Sequence, residues 1–181
     1  MIPTIRNATQ QDLESLVVLL EQLFAIETDF RIDPVRHRRG VRLMLDGCGK
    51  HRCMKVAELR GAVVAMGSVQ LLISTAEGNV VALLEDIVVD DALRRQGIGR
   101  QVMAALEQWA VQHGATRLQL LADRTNFSAL DFYNTIGWVP TKMICLRRKM
   151  TRKSIRDKST TQATAESETQ WPRHKTNASS C

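Results

Sequence analysis

The spacing of hydrophobic residues changes several times along the first 150 residues of this 181-residue chain. A short strand is predicted over residues 2–6, and apolar positions three and four apart from Leu13 to Phe24 then predict an amphipathic helix. Pro34 interrupts the next stretch, because proline is tolerated only in the first turn of a helix. A second helix is therefore predicted from Val35 to Leu45, ending at Gly47.

Between residues 53 and 89 the pattern is typical of β-strands joined by tight turns. Segments 53–59 and 62–74 flank the dipeptide Arg60-Gly61, which is a hairpin signal. A third strand over residues 80–89 follows the turn signal Glu77-Gly78-Asn79. Turns this short join antiparallel strands.

The following segments alternate helices with strands. We predict a helix over residues 97–113, a strand over 116–123, a short helix within 126–137 and a final strand within 138–150. The longer helix has one apolar stripe, formed by Ile98, Val102, Ala105, Leu106 and Trp109. This order of elements predicts a mixed α/β sheet.

Residues 151–181 differ in composition from the rest of the chain. They contain eleven Ser or Thr, no hydrophobic period and, apart from Ile155 and Trp171, almost no large apolar side chain. Such a segment cannot bury enough surface to offset the entropy of ordering it. We predict one domain over residues 1–150 and a polar, disordered tail over residues 151–181.

The net charge of +6 is divided between these two parts. The tail has six Lys or Arg against three Asp or Glu, so the domain carries only +3. The domain is therefore not expected to bind nucleic acid, and salt-dependent binding through the tail is kept as an alternative. The first residues lack the apolar core of a signal peptide, and no apolar run reaches about 18 residues. We expect a cytoplasmic protein with no membrane partner.

Four cysteines, at positions 48, 53, 145 and 181, show no regular disulfide framework and are expected to be reduced. Cys48, His51 and Cys53 are potential metal ligands. Their spacing matches no common zinc pattern, and a fourth ligand is missing. No metal site is therefore predicted.

Two glycines stand where the third helix is predicted to begin, in the segment Arg94-Arg95-Gln96-Gly97-Ile98-Gly99-Arg100. Glycine has no Cβ, so its backbone N–H can approach a ligand closely. The first turn of a helix also leaves N–H groups without partners and carries partial positive charge. Together with the arginines, this segment predicts a phosphate-binding loop, for which pyrophosphate is the best fit.

Two common phosphate loops do not match this segment. A Walker loop requires Lys and then Ser or Thr after its glycines, where this chain has Arg100-Gln101. A dinucleotide fingerprint requires a third glycine where Val102 stands. The segment instead resembles the Arg/Gln-x-x-Gly-x-Gly/Ala signature of the GNAT superfamily of N-acetyltransferases. The flanking sequences "LLEDIVVDD" and "NFSALDFYNTIGW" resemble the preceding strand and the second cofactor motif of that superfamily, and the resemblance covers residues 2–149.

The resemblance implies a single domain with a central, mixed but mostly antiparallel, twisted sheet flanked by helices. It implies acetyl-CoA as the co-substrate, with the pyrophosphate at the glycine loop and pantetheine along the preceding strand, where a bulge frees a backbone N–H near Ile87 or Val88. The implied cofactor-binding residues are Ile87, Val88, Val89, Arg94, Arg95, Gln96, Gly97, Ile98, Gly99, Arg100, Asn126, Ala129 and Phe132.

Transfer of an acetyl group from a thioester to an amine needs a base for the amine and an acid for the leaving thiolate. Glu85 and Asp86 are adjacent acids in an otherwise apolar strand, and burial of a carboxyl raises its pKa and makes it a better base. Glu85 is the first candidate for the base, directly or through water, and Asp86 is the second. The structural alternative is an ion pair with Arg6 or Arg117.

Tyr133, the only tyrosine, is implied by the resemblance as the acid that protonates the leaving sulfur, with a packing role as the alternative. The acceptor is expected to contact Phe24, Glu27, Phe30 and Asp86, which suit a cationic amine, although nearby arginines suit a carboxylate equally well. The predicted reaction is acetylation of a primary amine on a small molecule or an amino-acid-like compound. A protein acetyltransferase and a non-catalytic acyl-CoA sensor are the alternatives, and a homodimer stays open.

Overall fold

A five-stranded sheet organises the protein, whose computed structural model describes residues 2–27 and 29–149. Two short 3-10 turns, Gln10–Asp12 and Asp91–Leu93, lie between the longer elements. The helices and strands are β1 Thr4–Asn7, α1 Leu13–Ile26, α2 Pro34–Asp46, β2 Arg52–Leu59, β3 Ala62–Ser74, β4 Asn79–Val89, α3 Ile98–Gln112, β5 Leu118–Leu120 and α4 Phe127–Thr135. The predicted mixed α/β fold is confirmed.

The strands are ordered β1-β2-β3-β4-β5 across the sheet. Strands β1 to β4 are antiparallel to their neighbours, whereas β5 runs parallel to β4. The predicted β2–β3 hairpin turns at Arg60 and Gly61, both with positive φ, as a two-residue turn of this hand requires. β5 pairs only with Ala82–Leu84, so among the described residues the segment Glu85–Val89 has no strand partner on that side.

Helices cover both faces of the sheet. Against one face α3 buries Val102, Leu106 and Trp109 in a cluster that includes residues of β2, β3 and β4. Against the other face, α1 and α2 form a second cluster around Leu16 and Val41. The apolar stripes predicted for α1 and α3 are therefore the faces that pack on the sheet.

A β-bulge interrupts β4 next to the unpaired edge. The pairing register shifts so that residues 66–68 of β3 face residues 85–88 of β4, which gives β4 one extra residue. Asp86 has a positive φ of 55°, which is uncommon for a residue with a side chain. A Cβ on Gly67, opposite the bulge, would lie 2.6 Å from Ile87 Cδ1. Gly67 therefore leaves the space that the side chains of Ile87 on the bulge and of Leu106 on α3 occupy.

The final strand predicted within residues 138–150 is wrong for the part that the structure describes. Residues 138–149 contain no helix or strand, and most of their side chains are exposed. Pro140 has no N–H to donate to a neighbouring strand. The apolar residues of this segment favour a strand, but a strand forms only where another strand pairs with it.

The predicted tail over residues 151–181 lies outside the described residues. In the described part of the chain, no helix has the length and apolar character needed to cross a membrane.

Candidate active site

The glycine loop leads from β4 into α3 through two residues with left-handed backbone. Arg95 has φ of 62°, and Gly97, the N-cap of α3, has φ of 79°. No side chain caps the first turn of α3, and nothing lies within 4 Å of the position that a Cβ on Gly97 would occupy. Backbone N–H groups in such a turn form a concave surface that binds anions. The local geometry therefore suits a phosphate.

The three arginines of this loop differ in their surroundings. The guanidinium of Arg94 donates from Nε to the Val89 carbonyl at 3.1 Å and pairs with Asp91, so it holds the loop's own backbone. The side chains of Arg95 and Arg100 are exposed on either side of Gly97. These two full charges add to the partial positive charge of the helix N-terminus.

The start of α3 is packed between β4 and α4. A Cβ on Gly99 would lie 3.4 Å from Val89 Cγ2 and 3.5 Å from Phe132 Cζ, which is ordinary contact distance. α4 is itself capped by Asn126, whose Oδ1 accepts a hydrogen bond from the Ala129 N–H at 3.1 Å. The two segments predicted to bind the cofactor, residues 94–100 and 126–132, therefore meet at Gly99.

The open edge of β4 lies between the loop and the bulge. The bulge that the resemblance implied near Ile87 or Val88 is present and begins at Asp86. Beyond the three-residue β5, the backbone of residues 85–89 has no strand partner among the described residues on that side. An extended chain carrying amides could pair there as an added strand does.

The two adjacent acids of β4 have different environments. Glu85 is exposed, and its Oε2 accepts a hydrogen bond from Gln70 Nε2 at 3.0 Å. Asp86 is half-buried, and its burial, followed by the negative charges of Glu85 and Glu27, raises the pKa of Asp86 to about 6. A carboxyl with a pKa this close to neutrality is better matched to proton abstraction than an ordinary aspartate.

The predicted alternative, in which an arginine neutralises this acid pair, is wrong. Arg6 instead makes ion pairs with Asp12 and Glu58, both at 2.8 Å. Arg117 pairs with Glu77 at 3.2 Å. Both arginines are thus bound to acids other than Glu85 and Asp86.

Tyr133 lies on α4, half-buried between two aromatic neighbours. Its ring centroid is 5.4 Å from that of Phe132 and 6.4 Å from that of Trp138. Burial, followed by the negative charge of Glu27, raises the pKa of Tyr133 to about 12. The phenol is therefore protonated at neutral pH and can serve as a proton donor.

Glu27 connects the acid of β4 with the phenol of α4. It follows the last residue of α1, where its N–H donates to the Leu23 carbonyl at 3.2 Å. Its negative charge contributes, after burial, to the raised pKa of both Asp86 and Tyr133. Glu27 at the end of α1 is therefore coupled electrostatically to Asp86 on β4 and to Tyr133 on α4.

An aromatic cluster lies at the same end of α1. The Phe24 ring is 5.0 Å from the Phe30 ring and 4.9 Å from the His37 ring. His37 Nε2 accepts from the Asp33 N–H at 3.4 Å, which joins the start of α2 to the cluster. Phe24 and Phe30 were predicted to contact the acceptor, and the cluster also includes His37, which stands one turn after the helix cap Asp33.

Comparison with known proteins now bears on this arrangement. Residues 20–138 match the model of the acetyltransferase (GNAT) family. The chain belongs to the GNAT family. It is an N-acetyltransferase that transfers acetyl from acetyl-CoA to an amine.

Two curated relatives and one solved structure are similar to this GNAT enzyme. It is 29% identical over 119 residues to an aminoglycoside N(6')-acetyltransferase of Serratia marcescens, which covers 64% of this chain and 81% of the relative. It is 28% identical to an aminoalkylphosphonate N-acetyltransferase of Salmonella typhimurium, covering 74% of this chain and 83% of the relative. The solved structure of AAC(6')-Iy in complex with a CoA bisubstrate analogue has the same fold, with a TM-score of 0.68 at 20% identity, covering 83% of this chain and all of that one.

Proposed function

We propose that this GNAT enzyme acetylates the primary amine of a small cationic molecule by direct attack on acetyl-CoA, with Asp86 as the base and Tyr133 as the acid. The observation that carries this proposal is geometric: the bulge of β4 begins at Asp86, and the glycine loop packs at Gly99 against Val89 of β4 and against Phe132, the neighbour of Tyr133 on α4. The negative charge of Glu27, after burial, also contributes to the raised pKa of both Asp86 and Tyr133. Such a pair supplies the two proton transfers that the reaction needs.

The backbone around α3 supports the assignment of the co-substrate site. The pyrophosphate would lie on the N–H groups of residues 95–99, where Gly97 leaves the space of a side chain open. Pantetheine would pair with the unpartnered backbone of residues 87–89, with Phe132 and the Asn126–Ala129 turn on its other side. This placement directs the thioester along β4 toward the bulge.

Each proton in the transfer has a proposed destination. Asp86 accepts the proton of the acceptor ammonium or amine, so that the nitrogen lone pair can attack the thioester carbon. A backbone N–H at the bulge would stabilise the carbonyl oxygen as it gains charge. Tyr133 then gives its proton to the sulfur as the carbon–sulfur bond breaks. Glu85 stays a second candidate for the base, but its exposure and its bond to Gln70 favour Asp86.

The acceptor is proposed to be cationic because of the groups around Glu27. Two carboxylates, Glu27 and Asp86, attract an ammonium, and the exposed part of Phe30 with Phe24 gives an aromatic surface on which a cation is stabilised. The relatives named above act on an aminoglycoside and an aminoalkylphosphonate, which are both small amines. The second of these also carries an anionic group. In α2, Arg36 and Arg38 already pair with Asp33 and Glu14, so Arg39 and Arg42 are its proposed partners.

A screen of amines with acetyl-CoA, with release of free thiol as the readout, tests the proposal. The panel contains aminoglycosides, diamines, amino acids, aminoalkylphosphonates and a lysine peptide. Turnover of the polycationic small amines above the lysine peptide is expected. Binding of CoA with no thiol release from any amine would instead identify a sensor, and preference for the peptide would identify a protein acetyltransferase.

A further inference from the structure

Cys48 lies in the turn that joins α2 to β2, and Cys53 is the second residue of β2. The turn is closed by a hydrogen bond from the Gly49 N–H to the Arg52 carbonyl at 2.8 Å, and Cys48 forms an isolated bridge with Arg52. Cys48 packs against the hydrophobic cluster that contains Cys53. The Cys53 thiol has two acceptors in reach, the Cys48 sulfur and Asn7 Oδ1, the latter at 3.7 Å. Cys48 is half-buried and Cys53 is buried, so solvent reaches the pair through Cys48. None of the proposed catalytic or cofactor-binding residues belongs to this turn.

The two thiols of the pair have different pKa values because their surroundings differ. The hydrogen bond from Cys53, backbone N–H groups of Met54 and Gly49, and the nearby ammonium of Lys55 together lower the pKa of Cys48 to about 6, although burial acts against this. The same hydrogen bond, together with burial, raises the pKa of Cys53 well above its usual range. At neutral pH the pair therefore consists of an accessible thiolate and a protected thiol.

We propose that Cys48 and Cys53 form a thiol–disulfide exchange site that reacts with small-molecule disulfides such as oxidised glutathione. The Cys48 thiolate attacks one sulfur of the disulfide, forms a mixed disulfide and expels one glutathione thiolate. Cys53 then loses its proton to solvent, attacks the Cys48 sulfur and expels the second glutathione thiolate. Relative to the dithiol, the protein loses two electrons and two protons, and the two expelled glutathione thiolates take up protons from solvent to become thiols.

The attack by Cys53 is favoured because Cys48 loses its negative charge when it forms the mixed disulfide. The negative charge on Cys48 and the hydrogen bond to it are what keep the proton on Cys53. A mixed disulfide at Cys48 is uncharged, so the Cys53 thiol becomes more acidic once Cys48 has reacted. Because Cys53 is 1% exposed, an external reagent does not compete with Cys48 for it.

Peptide mapping of the full-length protein after incubation with oxidised glutathione tests the proposal. Trypsin cleaves after Arg42, Lys50, Arg52 and Lys55, so the disulfide would join two separate peptides, residues 43–50 and residues 53–55. The expected product is this linked pair, with the loss of two hydrogens and no retained glutathione. Cys53→Ser should trap glutathione on Cys48, and Cys48→Ser should leave Cys53 unmodified.

Cys145 provides the matched control, since it is an exposed cysteine outside the turn. Cys145→Ser should leave the linked pair unchanged. Glutathione retained on Cys48 in the native protein would overturn the proposal, as would oxidation of Cys145 and Cys181 while the pair stays reduced. If the serine variants fail to fold, alkylation of the native protein decides the point: the alkylation rate at Cys48 should rise with pH and level off above about pH 6. A rate at Cys48 that keeps rising to about pH 8.5, as for a free thiol, would overturn the proposal.

Discussion

Replacement of Asp86 by asparagine removes the proposed base and keeps the size of the side chain. The positive φ at this position is tolerated by asparagine at least as well as by aspartate, so the bulge in β4 should be retained. The change also relieves the repulsion between Asp86 and Glu27. The variant is therefore expected to fold and to bind CoA while it loses its rate of acetyl transfer.

The size and pH dependence of the loss follow from the environment of Asp86. Because burial and neighbouring charges raise the pKa of Asp86 to about 6, the reactive carboxylate is lost as the pH falls through 6. About nine-tenths of it is charged at pH 7 and about one-tenth at pH 5, so kcat/KM of the native enzyme should fall about tenfold between these values. Asp86→Asn should lower kcat by about 10²–10⁴-fold and should abolish this acidic limb.

Initial rates of thiol release at saturating acetyl-CoA, measured from pH 5 to pH 8, check this expectation. Glu85→Gln is the matched control, since it removes the adjacent carboxylate and should leave the limb in place with a small downward shift. Glu27→Gln should likewise move the limb to lower pH, because the charge of Glu27 helps to raise the pKa of Asp86. The reasoning is refuted if Asp86→Asn keeps the limb, or if Glu85→Gln removes it.

Three further predictions test other parts of the structure. Tyr133→Phe should lower kcat by about 10²-fold with little change in the Kd of CoA, and an unaltered single-turnover rate would assign the ring to packing. Gly97→Ala should weaken CoA binding by calorimetry, because its φ of 79° disfavours a Cβ and the Cβ enters the proposed phosphate site. Gly78→Ala, with φ of 61° in an open turn, imposes similar strain elsewhere and should leave the Kd unchanged. Arg6 holds the pKa of Asp12 down to about 2, so Asp12→Asn should cost about 2 kcal/mol in urea unfolding at pH 7. That contribution should be complete above about pH 4 and disappear as the pH falls through 2, and an equal loss at pH 2 would contradict it.

Elements with local signals could be predicted from the sequence. α1 and α3 each have an apolar stripe with the period of a helix. The β2–β3 hairpin has the turn dipeptide Arg60-Gly61, and both residues adopt the positive φ that the turn requires. β5 lies inside the strand predicted over residues 116–123 but is shorter, and residues 138–149 form no strand although their apolar pattern predicted one. A strand exists only where a neighbour pairs with it, so β5 is limited to the three residues that face Ala82–Leu84.

The active site also has parts that could be predicted from the sequence and parts that could not. The phosphate loop consists of consecutive residues, so its glycines and arginines could be recognised in the sequence. The bulge was not derivable from the pattern, because one extra residue in a strand looks like ordinary alternation. Its signal was Gly67, a glycine inside an apolar strand, which often marks a close approach of another chain segment. The raised pKa of Asp86 depends first on burial, which tertiary packing sets, and then on the charges of Glu85 and of Glu27, which is distant in sequence.

α3 serves two parts of the molecule at once, since its first turn is the proposed phosphate site and its middle is the centre of a hydrophobic cluster. The orientation of the N–H groups in the first turn is thus fixed when the core forms. Binding of the CoA phosphates should therefore need little further ordering of the backbone. Because the first turn and the core belong to one helix, a ligand bound at that turn should raise the free energy of unfolding of the whole domain. Thermal denaturation is therefore expected to occur at a higher temperature as the coenzyme concentration rises above its dissociation constant.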